Sequence, residues 1–375
     1  MSRLHRLREA GVSIWLDTLS RELLDGGGLA TLIADHDVTG ATSNPTIFAR
    51  AITGSSAYDE QLHRAVAGGI RDRRELFFEL ALDDVRRAAD MLHPAYEASG
   101  GSDGFVSFEC TPDVAGDAAA TIAQARDLWE RLARPNVMIK VPATDAGIVA
   151  IKELTARGVN VNVTLLFSLR RYEQVIDAYV EGLERRAAAD LPIGAVASVA
   201  SFFVSRVDVK VDALLAAESA LRGQVAIANA HAAYGRYVER FTSNRWLELH
   251  RRGARPQRPL WASTATKDPA YSDVLYVERL IAPDVINTMP EATLRAFADH
   301  GSVPPAPSID PRAAEQTLRR ARREGIDLAA ITAALEREGV QQFCDSYDAL
   351  LACIGGKAGA GLGAPARSPV AARVA

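Results

Sequence analysis

The amino-acid sequence predicts an α/β protein in which short strands alternate with helices along a chain of 375 residues. Apolar runs rich in β-branched residues, typical of parallel strands buried on both faces, recur between amphipathic helical segments. Eight such units favour a (β/α)8 TIM barrel with additional helices. The alternative, an open doubly wound sheet, normally has a glycine-rich phosphate loop after its first strand. This chain has Asp17-Thr18-Leu19-Ser20 at that position.

The eight predicted strands are separated by segments with helical periodicity. In chain order, strands are predicted at 13–18, 40–45, 105–109, 136–144, 159–167, 194–201, 259–264 and 284–290. Helices are predicted at 21–35, 117–133, 148–157, 168–189, 206–222, 224–240 and across 311–354. The segment 46–100 is longer than one crossover between strands needs, and its spacing of apolar residues indicates two or three helices.

The same pattern predicts how the chain is divided. We expect residues 1–354 to form one barrel domain that includes the C-terminal helices, because no linker-like segment interrupts them. Residues 355–375 are rich in Gly, Ala, Pro and Arg, which is typical of a disordered tail.

Composition excludes several classes of function. A net charge of −4 gives no reason to expect a nucleic-acid partner. There is no apolar run of about 18 residues, so no membrane span is predicted. The three cysteines are odd in number and widely spaced, which predicts neither a disulfide framework nor a zinc site and fits a cytoplasmic location. The histidines lack the paired spacing of metal ligands, so we expect no catalytic metal.

One lysine lies near the end of an otherwise apolar strand. Lys140 belongs to the predicted strand 136–144. Burying an ammonium group is unfavourable unless the group is paired or neutralised. A neutral amine in a dry pocket is what Schiff-base catalysis requires. A lysine that reaches the rim of the sheet, or one held in a structural ion pair, is the alternative.

Polar residues also end the other predicted strands. They are Asp17, Asn44, Glu109, Lys140, Asn162, Thr164, Ser201 and Thr264. Turn preference alone explains some Asn and Ser at such positions. Two carboxylates, a lysine, two amides and several hydroxyls at strand ends are more than turn preference explains, and catalytic groups of barrels stand at those ends. We therefore predict an active site there.

This set of groups suits cleavage of a carbon–carbon bond beside a ketone. The lysine amine would form an imine with the ketone, and the imine accepts the electrons of the breaking bond. Asp17 is the candidate for moving a proton to and from the substrate hydroxyl. Glu109 and Thr164 could hold the water that forms and hydrolyses the imine. Asn44 and Asn162 could bind the hydroxyls of a short polyol.

The sequence resembles the transaldolases of the longer bacterial type, in motifs that follow one another in family order from residue 13 to about residue 300. The motifs are Trp15-Leu16-Asp17, Thr42-Ser43-Asn44-Pro45-Thr46, Ile139-Lys140-Val141-Pro142-Ala143-Thr144, Asn162-Val163-Thr164-Leu165, Ser198-Val199-Ala200-Ser201-Phe202-Phe203-Val204-Ser205-Arg206 and Asn287-Thr288-Met289-Pro290. Ser43 departs from the family, in which Thr is commoner before the Asn-Pro pair.

The resemblance implies a role for each matching residue. Lys140 would form the Schiff base and Asp17 would act as the general acid/base, while Glu109 and Thr164 would hold the catalytic water. The residues implied to bind substrate are Asn44, Asn162 and Thr42 for the dihydroxyacetone part, and Ser201, Arg206 and Lys267 for the phosphate. The alternative for Arg206 is an ion pair with Asp208 or Asp212, although residues i and i+2 of a helix do not face each other.

The resemblance also implies the reaction. A transaldolase converts sedoheptulose 7-phosphate and glyceraldehyde 3-phosphate into erythrose 4-phosphate and fructose 6-phosphate, in the pentose phosphate pathway. It needs no cofactor, acts on sugar phosphates, and would be a monomer or homodimer in the cytoplasm. Two alternatives stay open. One is a related Schiff-base aldolase that releases free dihydroxyacetone or acts on another phosphosugar in specialised biosynthesis. The other is a barrel that has lost its chemistry and serves as a binding protein.

Overall fold

The computed structural model describes residues 2–306 and 309–361. In this part of the chain, eight parallel strands form a closed barrel in which each strand pairs with its neighbours in sequence order, and the last pairs with the first. The strands are β1 (Val12–Leu16), β2 (Val38–Thr42), β3 (Val106–Glu109), β4 (Val137–Pro142), β5 (Val161–Leu166), β6 (Ser198–Phe203), β7 (Arg258–Ala262) and β8 (Val285–Met289). The predicted (β/α)8 TIM barrel is confirmed.

Helices surround the barrel. They are α1 (Arg3–Glu9), α2 (Arg21–Asp25), α3 (Gly28–His36), α4 (Pro45–Thr53), α5 (Asp59–Ala67), α6 (Arg73–Ala98), α7 (Ala118–Leu132), α8 (Asp145–Ala156), α9 (Leu169–Ala188), α10 (Ser205–Asp212), α11 (Val225–Phe241), α12 (Asn244–Arg251), α13 (Leu275–Arg279), α14 (Glu291–His300), α15 (Pro311–Arg323) and α16 (Leu328–Gly361). The segment 46–100 contains three helices, α4 to α6, as its length indicated. No described helix is long and apolar enough to cross a membrane.

The register of the strands places the polar strand ends at one level. Glu109 on β3 is paired with Lys140 on β4, and Lys140 is paired with Asn162 on β5. These three residues therefore form a row across adjacent strands. Their side chains share the barrel interior because residues paired in register point to the same face of a sheet. The row lies at the carboxyl ends of the strands, where the helices begin.

The predicted helix 206–222 is wrong beyond Asp212, where α10 ends. The main-chain carbonyl of Asp212 accepts a hydrogen bond of 2.7 Å from the Arg222 guanidinium, and its carboxylate accepts one of 3.1 Å from the backbone N–H of Gly223. Gly223 has a positive φ of 68°, which glycine adopts without strain. Contacts from ten residues downstream thus fold this segment back instead of extending the helix.

The predicted boundary of the tail at residue 355 is also wrong, because α16 continues to Gly361. The Lys357 ammonium lies 2.6 Å from the Asp59 carboxylate and donates a hydrogen bond of 2.7 Å to the carbonyl of Ser55. Ile354 and Ala358 are buried. These long-range contacts hold a glycine-rich segment, which has low helix propensity, in a helix. Residues 362–375 of the predicted tail lie outside the described residues.

We expect a chain that ends at residue 354 to be less stable than one that ends at residue 361. The shorter chain loses the Lys357 ion pair, which is partly exposed, together with a charged hydrogen bond and buried contacts, about 1–2 kcal/mol in total. Thermal unfolding of both chains would measure this, with Lys357→Ala in the longer chain isolating the side chain. Equal melting temperatures would show that residues 355–361 contribute nothing to the fold.

Candidate active site

A cavity of about 720 Å³ opens at the carboxyl ends of the barrel strands. Its volume is within the range of small-molecule sites. Eight of the ten residues predicted for the site line this cavity: Asp17, Thr42, Asn44, Lys140, Thr164, Ser201, Arg206 and Lys267. Helix α16 adds Gln342 and Phe343 to the wall. Glu109 and Asn162 do not line the cavity, but each contacts a residue that does. Glu109 lies beside Lys140, and Asn162 bonds to Ser201.

Lys140 is buried, with 5% of its surface exposed. Its ammonium donates a hydrogen bond of 2.8 Å to the main-chain carbonyl of Ser43 and lies 3.7 Å from a carboxylate oxygen of Glu109. The alternative in which the lysine reaches the rim of the sheet is therefore wrong. The amine is held at the floor of the cavity, next to a group that can exchange a proton with it.

Glu109 and Thr164 present unpartnered oxygens inside the protein. Neither carboxylate oxygen of Glu109 nor the hydroxyl of Thr164 makes a hydrogen bond within the described residues. Burial raises the pKa of Glu109 to about 7, and the charge of Lys140 opposes this rise. A buried polar oxygen without a partner is unfavourable. Because β3 and β5 flank the strand of Lys140, these oxygens fit the predicted role of holding a water, which stays a prediction.

Asp17 follows directly after β1. One of its oxygens, Oδ1, accepts a hydrogen bond of 2.8 Å from the hydroxyl of Thr42. Burial raises the pKa of Asp17 above its ordinary value, and the charge of Lys140 is the main opposing influence. A raised pKa brings the carboxyl closer to the pH at which the protein works, which suits a group that must accept a proton and return it.

The two predicted amide ligands also have structural contacts. Asn44 caps α4, since its side-chain oxygen accepts a hydrogen bond of 2.9 Å from the backbone N–H of Ile47. The amide nitrogen of Asn162 donates a hydrogen bond of 2.9 Å to the hydroxyl of Ser107, and its amide oxygen accepts one of 2.7 Å from the hydroxyl of Ser201. The amide nitrogen of each Asn has N–H capacity beyond these bonds, and this could bind a substrate hydroxyl.

The position of Ser201 bears on its predicted phosphate role. A serine hydroxyl carries one hydrogen, and that of Ser201 is directed at the amide oxygen of Asn162. Phosphate oxygens accept hydrogen bonds, so Ser201 would have to release Asn162 in order to donate to a phosphate. The arrangement makes Ser201 a support for Asn162, and its binding of phosphate stays a prediction.

Two polar residues of the site were not singled out from the sequence. Ser107 accepts the hydrogen bond from Asn162, and the hydroxyl of Thr288 lies 2.8 Å from that of Thr42. Ser107 is two residues before Glu109 on β3 and therefore shares its face, a period-two signal that could have found it. Thr288 lies near the end of β8, directly after Asn287 in the motif Asn287-Thr288-Met289-Pro290, and lines the cavity.

Arg206 and Lys267 are two cations at the cavity without an acidic partner. Within residues 2–306 and 309–361, no carboxylate lies within ion-pair distance of either. Arg206 is in the first turn of α10, and its guanidinium lies 5.3 Å from the centre of the Phe203 ring. The Ser205 and Ser263 hydroxyls, 2.9 Å apart, tie α10 to the segment after β7 that carries Lys267.

The alternative ion pair of Arg206 with Asp208 or Asp212 is wrong. Asp208 accepts hydrogen bonds from the backbone N–H of Ala226 at 2.8 Å and from the hydroxyl of Tyr276 at 2.9 Å. Asp212 is turned towards the segment around Gly223. Both carboxylates are thus engaged away from the cavity, and the positive charge of Arg206 remains available to an anionic ligand.

Comparison with known proteins gives the same assignment as the motifs. Residues 14–354 match the family model described as Transaldolase/Fructose-6-phosphate aldolase. The chain belongs to this family. The resemblance to transaldolases is therefore confirmed, and the matched range includes every residue predicted for the site.

Curated members of the family are similar along nearly their whole length. The Saccharopolyspora erythraea protein named Transaldolase is 50% identical over 355 residues, which cover 93% of this chain and 96% of the relative. The Transaldolase of Parafrankia is 50% identical over 352 residues, 92% of this chain and 95% of the relative. That of Mycolicibacterium smegmatis is 48% identical over 351 residues, 92% and 94% of the two chains.

We expect inorganic phosphate to stabilise the protein through Arg206. An anion at about ten times its dissociation constant stabilises the folded state by roughly 1.4 kcal/mol. Phosphate, compared with chloride at equal ionic strength, should raise the melting temperature of the parent protein and of Arg240→Ala, an arginine on α11 that pairs with Asp177. Arg206→Ala should lose most of the rise. The same rise in Arg206→Ala would place the anion elsewhere.

Proposed function

We propose that this protein is a transaldolase, which transfers a dihydroxyacetone unit from a ketose phosphate to an aldose phosphate through an imine on Lys140. The observation that carries the proposal is a buried amine beside a carboxyl, at the floor of a cavity that also contains Asp17 and two unpaired cations. The curated relatives that are about half identical to this chain are named transaldolase. The proposed reaction converts sedoheptulose 7-phosphate and glyceraldehyde 3-phosphate into erythrose 4-phosphate and fructose 6-phosphate.

The first step forms the imine. The neutral amine of Lys140 attacks C2 of the ketose, and the carbinolamine then loses water to give the imine. The carboxyl of Glu109, whose pKa is about 7, can take a proton from the ammonium and supply one to the leaving hydroxyl. The hydroxyl of Thr164 would hold the departing water. Neither this hydroxyl nor the carboxyl of Glu109 has a hydrogen-bond partner in the described part of the chain.

The second step breaks the carbon–carbon bond. Loss of water leaves the imine nitrogen protonated, as an iminium. The carboxylate of Asp17 removes the proton of the C4 hydroxyl, the C3–C4 bond breaks, and its electron pair enters the iminium to give a neutral enamine. The aldose phosphate leaves, and Asp17 is now protonated. An acceptor aldose then adds to the enamine by the reverse step, in which Asp17 returns its proton to the new hydroxyl.

Substrate recognition would divide between the two sides of the cavity. Arg206 and Lys267 provide fixed positive charge for a phosphate with close to two negative charges, and the planar guanidinium suits phosphate oxygens. Asn44 and Asn162 would bind the hydroxyls of the dihydroxyacetone part. We also propose a place in the pentose phosphate pathway, a cytoplasmic location, a single barrel domain that includes the C-terminal helices, and a monomeric or homodimeric state.

The proposal is tested by a coupled assay with fructose 6-phosphate. We expect continued release of glyceraldehyde 3-phosphate, beyond a single turnover of the enzyme, only when erythrose 4-phosphate is present, because the enamine on Lys140 must pass its unit to an aldose before it can react again. Detection of glyceraldehyde 3-phosphate and sedoheptulose 7-phosphate measures the transfer. Release of dihydroxyacetone at the same rate without an acceptor would instead make the protein an aldolase.

Borohydride should trap the intermediate on Lys140. Reduction in the presence of fructose 6-phosphate converts the imine into a stable amine, and mass spectrometry of peptides should find a three-carbon adduct on the peptide that contains Lys140. Lys152, whose ammonium is exposed and pairs with Glu181, is the internal control. An adduct on Lys152 or Lys267 with Lys140 unmodified would remove the assignment.

Asp17→Asn should bind substrate and lose turnover. The amide keeps the shape of the side chain but cannot transfer the proton, and a general acid/base contributes roughly 10²–10⁴-fold. We expect kcat to fall in that range with little change in KM. The control is Asp25→Asn, which should retain full activity. Asp25 is an exposed residue of α2 that pairs with Arg87. Wild-type kcat in Asp17→Asn would move the acid/base role to Glu109.

A further inference from the structure

A chain of two hydroxyls leads from β8 to the proposed acid/base. The hydroxyl of Thr288 lies 2.8 Å from that of Thr42, and Thr42 lies 2.8 Å from Oδ1 of Asp17. Strands β8 and β2 pair with opposite edges of β1, so the two threonines approach each other across the end of β1. Asp17 follows that strand end directly, and its backbone N–H donates a hydrogen bond of 2.7 Å to the carbonyl of Met289.

Counting hydrogens fixes the direction of this chain. The hydroxyl of Thr42 has one hydrogen and two oxygen neighbours at hydrogen-bond distance. A carboxylate is the stronger acceptor, because a charged acceptor makes a shorter and stronger hydrogen bond than a neutral one. Thr42 therefore donates to Asp17, and Thr288 must donate to Thr42. Donation by Thr288 polarises the Thr42 hydroxyl and strengthens its bond to the carboxylate.

Thr288 itself is held in place. Its side chain is buried, and its main-chain carbonyl accepts a hydrogen bond of 3.2 Å from the hydroxyl of Thr264 on the neighbouring segment after β7. The single hydrogen of the Thr264 hydroxyl is shared with the side-chain oxygen of Asn287, which lies 2.9 Å away. The end of β8 is thus fixed against its neighbour. The Thr288 hydroxyl has no partner other than Thr42 among the residues that the structure describes.

We propose that Thr288 is a positioning residue for Asp17, which acts through Thr42 to hold the carboxylate by its Oδ1 and leave Oδ2 for the substrate. This inference rests on the proposed function. Oδ2 makes no hydrogen bond to the described residues, whereas Oδ1 is engaged by Thr42. When the C3–C4 bond breaks, the proton of the C4 hydroxyl passes to Oδ2, and the electron pair of the broken bond enters the imine on Lys140. Oδ1 keeps its bond to Thr42 throughout, so the carboxyl does not rotate between the two halves of the reaction.

Thr288→Val and Thr288→Ser test the proposal. Valine has nearly the shape of threonine but no hydroxyl, and serine retains the hydroxyl. We expect Thr288→Val to lower kcat by about tenfold, the effect of one hydrogen bond, and to leave KM for fructose 6-phosphate unchanged. Thr288→Ser should restore most of kcat. Thr121→Val is the matched control, since it removes a buried threonine hydroxyl on α7 that bonds only to the carbonyl of Val114 within the described structure.

The step that slows can be identified by trapping. Borohydride reduction during turnover of fructose 6-phosphate gives a six-carbon adduct before bond cleavage and a three-carbon adduct after it. Because Asp17 acts in cleavage and not in imine formation, Thr288→Val should shift the adducts on Lys140 towards six carbons, while total labelling stays that of the parent protein. Thr288→Ser and Thr121→Val should give the parent ratio.

Three results would overturn the inference. A rise in KM with unchanged kcat would mean that Thr288 contacts substrate directly. An equal loss of kcat in the valine and serine variants would mean that the methyl packing matters and the hydroxyl does not. An unchanged kcat in Thr288→Val would mean that Thr42 holds Asp17 without help. Failure of the proposed function would look different, because the parent protein itself would then form no adduct on Lys140.

Discussion

The burial of one amine is the constraint on which the site depends. Lys140 is part of a strand that is covered on both faces, so its ammonium is removed from bulk water. The barrel offers it a backbone carbonyl at 2.8 Å and a carboxylate oxygen at 3.7 Å. The longer of these contacts is a weak ion pair, and the carboxyl concerned, Glu109, has a raised pKa. A carboxyl with a raised pKa beside a lysine is placed to exchange a proton with it, which suits the proposed attack by the free amine.

Closure of the barrel brings this pair together with the other polar groups of the candidate site. Asp17 follows the first strand and Thr288 lies on the last, so the two are far apart in sequence. In the barrel, both lie at hydrogen-bond distance from the hydroxyl of Thr42. Arg206 and Lys267 are placed on the same cavity by the segments after β6 and β7. The acids nearest to Arg206 in sequence are engaged elsewhere, and no carboxylate of the described residues forms an ion pair with its guanidinium, although the charges of Asp17 and Glu109 act on it from across the site. Positive charge that is fixed in place attracts an anionic substrate without rearrangement.

Several polar groups predicted to bind substrate also make structural hydrogen bonds. Asn44 caps α4 while it lines the cavity, and Asn162 is fixed between Ser107 and Ser201 before any substrate arrives. Side chains already held by hydrogen bonds lose little freedom when they bind a ligand. Such a hydrogen bond can also limit a residue. The single hydrogen of the Ser201 hydroxyl is directed at Asn162 and is therefore not available to a ligand. A polar residue at a strand end can therefore be a support for a ligand-binding residue, and residue type alone does not distinguish the two.

The sequence by itself determined the barrel, the family and which strand ends carry the polar groups, because apolar periodicity and short motifs are properties of neighbouring residues. Eight of the ten site residues that it predicted line the cavity, and Lys140 and Asp17 are among them. Only the tertiary structure decided that α10 stops at Asp212, that α16 continues past residue 354, and that Ser201 serves Asn162. It also supplied Ser107 and Thr288. Each of these depends on a hydrogen bond or ion pair between residues distant in the chain, and such pairing is set by strand register and side-chain direction, which no local stretch of sequence contains.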